Sequence, residues 1–284
     1  MSPTLSLQDR VVAVAGAGGG GIGTAIAVML AKAGAMVAAI DRSAPGRALV
    51  ERELAGAGGR FLVIEADLSD PGAARAAVAR IEKELGPIEG LVNVIGGFER
   101  LDQLGGLLAP AAAETFDEVV RFNVRPTLLM SIECARLMTA RRRGSVVHIT
   151  SSTGIVSMPF GAGYAAGKAA LINLTKTMAV EWGALGVRVN AVACGTILTA
   201  EARRFSAGIE KVAKEVIPVG RCGDPDEIAG PVLFLLSDLA SYVNGAVLSV
   251  DGGALARAPY NDADNLPVFI NDPELRARLL NPDR

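Results

Sequence analysis

The order of short apolar runs and helical patterns is the feature that most restricts the fold of this chain. Seven runs of four to six residues are largely apolar and bounded by glycine or polar residues, as in strands buried on both faces of a parallel sheet. Helical patterns alternate with them, so the sequence predicts an α/β fold: one domain over residues 1–253 with a doubly wound, mostly parallel seven-stranded sheet and helices on both faces. The predicted strands are Val11–Ala15, Met36–Ile40, Phe61–Glu65, Leu91–Ile95, Val146–Thr150, Val187–Val192 and Val247–Val250.

Helix ends carry their own signals. The pattern from Ile22 to Ala33 is closed by Gly34, and the pattern from Pro71 to Leu85 follows a capping residue, Asp70, and is closed by glycine. Two segments, about 96–113 and 195–221, do not follow the strand-helix order. Both come after strand carboxyl ends, where open α/β sheets bind ligands, so we expect substrate loops there. For the extension 254–284, disorder, an oligomer contact and a flap over the site all stay open.

Charge and cysteine usage exclude several classes of protein. The chain has 28 basic and 30 acidic residues, which gives no electrostatic reason to expect nucleic acid or an anionic membrane as a partner. Cys134, Cys194 and Cys222 form no metal-ligand pattern, and a single histidine, His148, excludes a histidine-based metal centre. The uncharged stretch 11–31 is interrupted by glycines and follows no basic leader. We therefore expect a soluble, untargeted, cytoplasmic protein without a metal site.

A glycine-rich stretch, Gly16 to Gly23, lies between the first predicted strand and the first predicted helix. Glycines there permit a tight turn and let amides at the positive end of a helix dipole approach a pyrophosphate. This arrangement predicts a Rossmann-type dinucleotide site. The expected contacts of the loop are Gly16, Gly18, Gly21, Ile22 and Gly23.

Asp41 ends the second predicted strand, eighteen residues beyond Gly23. A carboxylate at that place accepts hydrogen bonds from the adenosine ribose and repels a 2′-phosphate, so NAD(H) is expected as cofactor and NADP(H) is less favoured. The adjacent Arg42 could soften that preference. Asp67 and Leu68, after the third strand, are expected at the adenine, although Asp67 could equally be a helix cap or a loop carboxylate.

Tyr164 and Lys168 lie four residues apart in a predicted helix over 162–183, so their side chains share one face. A free phenol has a pKa near ~10, and a base near neutral pH needs a shift of about 3 units, which a neighbouring cation can supply. Ser151 lies thirteen residues upstream, at the end of a strand, where a hydroxyl could bind a substrate oxygen. The alternative is a surface tyrosine and lysine that are four apart by chance.

In this combination and order the motifs resemble the short-chain dehydrogenase/reductase family from about Asp9 to Gly253. The resemblance rests on Tyr-x-x-x-Lys with its upstream serine and on three further segments. These are Phe122-Asn123-Val124, Val187 to Gly195, and Ser249-Val250-Asp251-Gly252-Gly253.

The resemblance implies a role for each matching residue. Tyr164 would be the general acid/base, Ser151 would hold the substrate oxygen, Lys168 would bind the nicotinamide ribose and lower the pKa of the phenol, and Asn123 would help hold a proton-conducting water chain. Asn93 and Gly96 would lie beside the cofactor, and Ile197 and Thr199 at the nicotinamide carboxamide. The family also implies a homotetramer or dimer, paired through the helices over 115–140 and 162–184.

Three departures from the family pattern concern the cofactor site. The glycine loop is one residue longer, with Ala17 at the first glycine position, which leaves open which amides bind phosphate. The segment Asn93-Val94-Ile95-Gly96 lacks the second asparagine and the alanine. Cys194 replaces a common proline, and we interpret it as a small buried residue because no histidine is available to activate a thiol.

The resulting hypothesis is an NAD(H)-dependent oxidoreductase that transfers hydride between nicotinamide and a secondary alcohol or ketone. The expected substrate contacts are Ser151, Tyr164, Ile155, Phe160 and Leu198, joined by Phe98, Met158 and Phe205. Their apolar character favours a hydrophobic or cyclic substrate. Two alternatives stay open: an NADPH-dependent 3-oxoacyl thioester reductase, and a catalytically silent dinucleotide-binding scaffold.

Overall fold

The computed structural model describes residues 5–97, 112–205, 208–257, 266–267, 270 and 272–280. The strands are β1 (Val11–Ala15), β2 (Met36–Asp41), β3 (Phe61–Glu65), β4 (Ile88–Asn93), β5 (Gly144–Ser151), β6 (Val187–Cys194) and β7 (Val247–Val250). The helices are α1 (Ile22–Lys32), α2 (Ala44–Ala57), α3 (Pro71–Glu84), α4 (Ala112–Arg141), α5 (Ala162–Gly183), α6 (Ala200–Phe205), α7 (Ile209–Val216), α8 (Pro225–Leu236) and α9 (Pro273–Leu280).

One parallel sheet with strand order β3-β2-β1-β4-β5-β6-β7 organises the chain. The order reverses between β1 and β4, and a crevice opens at the carboxyl ends of the strands at such a point. One buried cluster packs α1 and α8 against the sheet, and a second packs α3, α4 and α5 against it. The expected single doubly wound domain is confirmed, and the site must lie at this carboxyl edge.

Local sequence signals explain where several elements begin and end. The Asp70 side chain accepts a hydrogen bond of 2.7 Å from the Ala73 amide, and Pro71 begins α3, as the capping signal predicts. Gly34 has a φ of +91°, the left-handed conformation that ends a helix at low cost to glycine. Within the described ranges, no helix combines the length and the apolar character needed to cross a membrane.

The second, fifth and sixth strands extend one or two residues beyond their predicted bounds, and the fourth and seventh strands differ from the prediction in position and in burial. The fourth strand is displaced towards the N-terminus, to Ile88–Asn93, because Val94 and Ile95 leave the sheet and line a cavity. The seventh strand is at the edge of the sheet and is only partly covered, so it is not buried on both faces; Leu248 is 39% exposed. Of the substrate segment 96–113, residues 98–111 lie outside the described residues, as does most of 258–284.

Candidate active site

A cavity of about 640 Å³ extends along the carboxyl ends of β1 to β6. Its volume is in the range of small-molecule and cofactor sites. Predicted site residues on its wall are Gly16, Gly21, Ile22, Gly23, Asp41, Asp67, Leu68, Gly96, Ser151, Tyr164, Lys168, Ile197 and Thr199. Thus the structure brings the predicted phosphate, ribose and proton-transfer groups into one cavity, whereas Gly18, Asn93, Asn123, Ile155, Phe160 and Leu198 do not line it.

The glycine loop between β1 and α1 is tightly folded. A side chain on Gly23 would collide with the carbonyl oxygen of Gly16, and one on Gly21 would lie 2.8 Å from Thr199 Cγ2. Thr24 Oγ1 accepts a hydrogen bond from the Gly20 amide and donates one to the Ala17 carbonyl. The loop is therefore a cradle that side chains would fill, and it fits a pyrophosphate at the N-terminus of α1.

Gly18 differs from the other predicted loop contacts. Its amide donates a 2.9 Å hydrogen bond to Asp41 Oδ2, and the residue is absent from the cavity wall. Gly19, which was not predicted, lines the cavity in its place. The structure thus places the Gly18 amide against Asp41 at the end of β2 and away from the cavity wall, so a contact of Gly18 with the cofactor stays a prediction.

Two acidic residues, Asp41 and Asp67, line the part of the cavity where adenosine is expected. Asp41 Oδ1 also accepts from the Ser43 amide, at 2.9 Å, so both carboxylate oxygens are held by backbone groups. Asp67 Oδ1 accepts from the amide and the hydroxyl of Ser69, and these hydrogen bonds hold the pKa of Asp67 below its usual value. Asp67 is therefore a loop carboxylate that also faces the cavity, so the two readings of this residue are compatible.

Tyr164 lies near the start of α5 beside Ser151. Burial raises the pKa of the Tyr164 phenol above 10, and a hydrogen bond with the Ser151 hydroxyl opposes this effect. The expectation that Lys168 lowers this pKa is not met: the Lys168 ammonium lies 5.6 Å from the centre of the tyrosine ring, and burial dominates. At neutral pH the phenol is therefore protonated and can act as an acid.

Ser151 is oriented by a residue that sequence reasoning missed. Its Oγ accepts hydrogen bonds from the amide and the hydroxyl of Thr153, at 3.2 and 2.9 Å. Thr153 lies in a 3₁₀ turn, Ser152–Gly154, directly after β5. Because two donors occupy the Ser151 oxygen, the hydroxyl proton is directed elsewhere, which suits a hydrogen bond to the phenol or to a substrate oxygen.

Lys168 is buried one turn further along α5. Its ammonium donates a 3.0 Å hydrogen bond to the Ile149 carbonyl, and burial lowers its pKa to about 8. An ammonium has three donors, and this hydrogen bond engages one of them, so the group can also bind ribose hydroxyls in the cavity. The predicted pairing with Tyr164 on one helical face is thus present as geometry, but without the predicted effect on the phenol.

Asn123 and Gly96 form a buried support next to Lys168. The Asn123 side chain accepts from the Gly97 amide and donates to the Gly97 and Val119 carbonyls, each at 2.9 Å. A side chain on Gly96 would lie 2.5 Å from Asn123 Oδ1 and 2.7 Å from Lys168 Nζ. Asn123 therefore holds the segment after β4 against α4 from below the cavity.

Asn93 belongs to a buried polar chain beneath the site. Its amide donates to Ser131 Oγ at 3.0 Å, Ser131 contacts His148 Nε2 at 3.1 Å, and His148 Nδ1 contacts Thr175 Oγ1 at 2.9 Å. Thr175 donates its own proton to the Leu171 carbonyl, so it accepts from Nδ1. His148 is consequently neutral with its proton on Nδ1, and burial and Lys168 lower its pKa to about 4. The structure therefore gives Asn93 a packing position below the cavity.

The part of the cavity where the nicotinamide is expected is formed by the end of β6 and the segment after it. Ile197 and Thr199 line the cavity there, as does Cys194. Burial raises the pKa of the Cys194 thiol to about 12, so the thiol is protonated at neutral pH and is a poor nucleophile. This agrees with the interpretation of Cys194 as a small buried residue.

The predicted substrate contacts are dispersed. Ile155 and Phe160 are exposed on the segment between β5 and α5, and Leu198 is buried in a small cluster with α7 residues. Phe98 and the side chain of Phe205 lie outside the described residues. Leu198 thus packs inside the domain, because the chain turns it away from the cavity.

Helix α4 contributes cavity residues that sequence reasoning missed. Glu118, Phe122 and Pro126 recur at a spacing of four and line the cavity, and the Arg42 guanidinium lies 5.4 Å from the centre of the Phe122 ring. The spacing itself was a usable signal for one face of a helix. It does not tell which strand that face will meet.

Comparisons with known proteins agree with this geometry. A family model described as enoyl-(acyl carrier protein) reductase matches residues 16–254. A 2-dehydro-3-deoxy-D-gluconate 5-dehydrogenase from Pseudoalteromonas atlantica is 36% identical over 266 residues, 90% of this chain and 100% of that protein. An inactive 2-(S)-hydroxypropyl-CoM dehydrogenase 2 from Xanthobacter autotrophicus is 38% identical over 233 residues, 79% of this chain and 97% of that protein.

The fold also matches solved structures. A crystal structure described as a candidate 2-deoxy-D-gluconate 3-dehydrogenase from Agrobacterium tumefaciens, with bound NADP, has a TM-score of 0.79 and 36% identity. The match covers 90% of this chain and 100% of that one. Fold, cavity and relatives define a class of protein, the nicotinamide-dependent oxidoreductases that act on CH–OH groups of secondary alcohols. Within that class, this chain belongs to the short-chain dehydrogenase/reductase family.

Proposed function

We propose that this protein is an NAD(H)-dependent dehydrogenase that interconverts a hydrophobic or cyclic secondary alcohol and its ketone, with Tyr164 as the acid/base. One observation carries the proposal: Ser151, Tyr164 and Lys168 line the same cavity as the glycine loop and Asp41. A hydroxyl, a phenol and an ammonium at one end, with phosphate- and ribose-binding groups at the other, suit hydride transfer coupled to proton transfer.

Four polar residues at this end of the cavity, or directly below it, then have defined tasks. A nicotinamide cofactor held in this cavity would supply or accept the hydride. In ketone reduction, Tyr164 donates its phenolic proton to the carbonyl oxygen while Ser151 holds that oxygen by a hydrogen bond. Lys168 binds ribose hydroxyls and, below its pKa of about 8, keeps a positive charge near the phenol. The buried Asn123 keeps the Gly96 segment in place beside them.

Because the pKa of Tyr164 is raised, we expect ketone reduction and alcohol oxidation to be fastest at different pH values. The phenol is protonated at neutral pH, so ketone reduction is favoured there, and alcohol oxidation, which needs the phenolate, should accelerate as the pH rises into the alkaline range. A pH profile of both directions tests this proposal. Oxidation that is fastest below pH 7 would contradict it.

The choice of NAD(H) rests on Asp41. A 2′-phosphate near its carboxylate would meet a negative charge that two backbone amides hold in place, so the side chain cannot turn away without losing both hydrogen bonds. Arg42 acts in the opposite direction, and one structural relative binds NADP. The ratio of kcat/KM for NADH and NADPH decides the matter, and a strong NADPH preference would reject the choice.

The substrate class is supported by exposed apolar side chains on the segment that follows Ser151, which itself lines the cavity. Ile155, Val156 and Phe160 are 49, 53 and 58% exposed on the segment that joins Ser151 to α5. An apolar substrate would cover such a surface favourably. One relative is named for a sugar-acid substrate, so a screen should contain polyols and sugar acids beside steroid, terpenoid, aryl and hydroxyacyl alcohols.

The experiment for the proposed chemistry is NADH formation over that panel, followed by substitution of the phenol. Tyr164→Phe should abolish turnover of an accepted substrate while leaving NADH binding intact. Tyr242→Phe is the matched control. It also removes a phenolic hydroxyl, but Tyr242 is fully exposed and does not line the cavity. Full turnover by Tyr164→Phe would refute the assigned acid/base.

A second candidate is an NADPH-dependent reductase of 3-oxoacyl thioesters, which is favoured by a relative from Thermotoga maritima, 34% identical over 226 residues, that is named as a 3-oxoacyl-[acyl-carrier-protein] reductase. A kcat/KM for a 3-oxoacyl thioester with NADPH that is far higher than the kcat/KM for any alcohol with NAD would establish it. A silent scaffold is the remaining alternative, since one relative is named as inactive. The presence of Asn123, Ser151, Tyr164 and Lys168 argues against that alternative, and the same screen tests it.

We also propose a cytoplasmic homo-oligomer, a tetramer or dimer. Cys134, Cys194 and Cys222 are free and buried, which suits a reducing compartment. Ile132 of α4 and Val180 of α5 are 47 and 82% exposed, as expected of helices that pair across a two-fold axis. Light scattering coupled to size exclusion would give the mass in solution, and a monomer at working concentration would reject the assembly.

A further inference from the structure

The longer glycine loop is attached to the rest of the site through Asp41. Gly18 donates its amide proton to Asp41 Oδ2 at 2.9 Å, and Ser43 donates to Oδ1 at the same distance. Ser43 is also the N-cap of α2, where its hydroxyl accepts from the Gly46 amide. One carboxylate thus joins the phosphate-binding loop, the end of β2 and the start of α2.

The loop also rests directly on the backbone of α2. A side chain on Gly46 would lie 2.6 Å from the Gly18 carbonyl oxygen, and one on Gly18 would lie 2.7 Å from the Gly46 carbonyl carbon. These separations are far below van der Waals contact, and the atoms concerned are backbone atoms that cannot rotate aside. The close approach therefore requires glycine at both positions.

A second contact fixes the same side of the loop. A side chain on Gly20 would lie 2.9 Å from Leu49 Cδ2, one turn further along α2. In contrast, Gly19 has open space around it and lines the cavity. The loop therefore has one face packed on α2 and one face turned to the cofactor.

We infer that Asp41, Gly18 and Gly46 form a clamp that holds the glycine loop in its phosphate-binding shape, with Gly46 as a positioning residue outside the cavity. This inference rests on the proposed dinucleotide function. It means that Asp41 contributes to pyrophosphate binding through the loop, in addition to any contact with the adenosine ribose. Binding of the two halves of the adenosine diphosphate group is consequently coupled.

The first test needs no ligand. Hydrogen-deuterium exchange of the loop amides over 16–20 is compared in the wild type, Gly46→Ala, Asp41→Ala and Gly56→Ala. Gly56 lies in the same helix with open space around it, so Gly56→Ala is the matched control. We expect faster exchange of the loop in Gly46→Ala and Asp41→Ala only. Unchanged exchange in Gly46→Ala would overturn the clamp, whatever the protein binds.

The second test separates the loop from the ribose. Dissociation constants are measured by calorimetry for NADH and for an NADH analogue whose adenosine ribose lacks both hydroxyls. Gly46→Ala should weaken both ligands equally, by roughly tenfold or more if it breaks the charged Gly18–Asp41 hydrogen bond. In turnover its KM for NADH should rise with kcat nearly unchanged, since the proton-transfer groups are untouched.

Asp41→Ala completes the design. A carboxylate that only binds ribose hydroxyls would weaken NADH and leave the truncated analogue unaffected, whereas the clamp predicts a loss of about tenfold for the analogue as well. An unaffected analogue would overturn the inference but leave the proposed function standing. If loop exchange responds as expected while the wild-type protein binds neither NADH nor NADPH, the clamp holds and the proposed function is rejected.

Discussion

His148 offers a direct test of the buried polar chain beneath the site, because it is the only histidine in the protein. Burial and, to a smaller extent, the nearby Lys168 charge lower its pKa from 6.5 to about 4. Ser131 contacts Nε2 of the ring and Thr175 contacts Nδ1. Protonation would place a second N–H against the Ser131 hydroxyl, which already donates to the ring, and would bury a charge. The imidazole is therefore expected to stay neutral throughout the neutral range.

The sign of the effect on stability follows from proton binding. Between pH 6.5 and 4 the unfolded chain binds a proton at His148 that the folded protein excludes, so the contribution is complete above pH 6.5 and is lost as the pH falls. With a folded pKa of about 4, lowering the pH from 7 to 5 should cost about 2 kcal/mol of unfolding free energy at this residue.

Two measurements check this prediction. Proton NMR should show one imidazole signal, titrating well below the ordinary pKa of a histidine. Urea denaturation at pH 7 and pH 5 should show that lowering the pH costs His148→Asn less unfolding free energy than it costs the wild type. The variant is nevertheless less stable at pH 7, because it disrupts the buried hydrogen bonds around position 148. An imidazole that titrates near pH 6.5, or equal losses in both proteins, would refute the assigned burial and tautomer.

Three further predictions concern the site itself. Thr153→Val should lower kcat about fivefold, because it removes a hydroxyl that orients Ser151, while Thr153→Ser should retain activity; equal rates for both would contradict this role. Gly96→Ala should lower kcat/KM by roughly a hundredfold by displacing Asn123 and its neighbours, and a nearly wild-type value in steady-state assays would reject the close packing. Cys194, with its pKa of about 12, should react with iodoacetamide at pH 7.5 far more slowly than free cysteine. Mass spectrometry would follow the reaction, and rapid alkylation of Cys194 would contradict the prediction.

The sequence predicted those parts of the fold that depend on local patterns. The strand runs, the Asp70 cap and the closing Gly34 are set by residues within a few positions of one another, and the structure has the cap, the closing glycine and all of the strand runs except part of the fourth. The fourth strand was misplaced because Val94 and Ile95 are as apolar as strand residues. Their side chains face a cavity, which a pattern of hydrophobicity cannot distinguish from a core.

The site was predictable where chemistry requires particular residue types. Tyr164, Lys168, Ser151 and Asp41 were identified from spacing and position, and the structure brings them to one cavity. Their electrostatics were not predictable. The phenol pKa depends on burial, which spacing does not report, and burial outweighs the nearby ammonium.

Long-range packing accounts for what was missed. Phe122 of α4 meets Arg42, which directly follows β2, and nothing in the local sequence of either residue indicates this contact. The hydrogen bond of Gly18 is also a long-range contact that the local sequence does not indicate. The Gly18 amide is taken by a residue 23 positions away along the chain, a contact that exists only after the sheet has formed.

The contact between Gly18 and Gly46 restricts which substitutions can be accepted at these two positions during evolution. Because backbone meets backbone there, no exchange of side chains can compensate for a change at one of the two positions. The pair should therefore be gained or lost together. Among natural sequences with this loop length, a side chain at position 46 should accompany a different loop path, which makes the two glycines a diagnostic for recognising other proteins that hold their cofactor in this way.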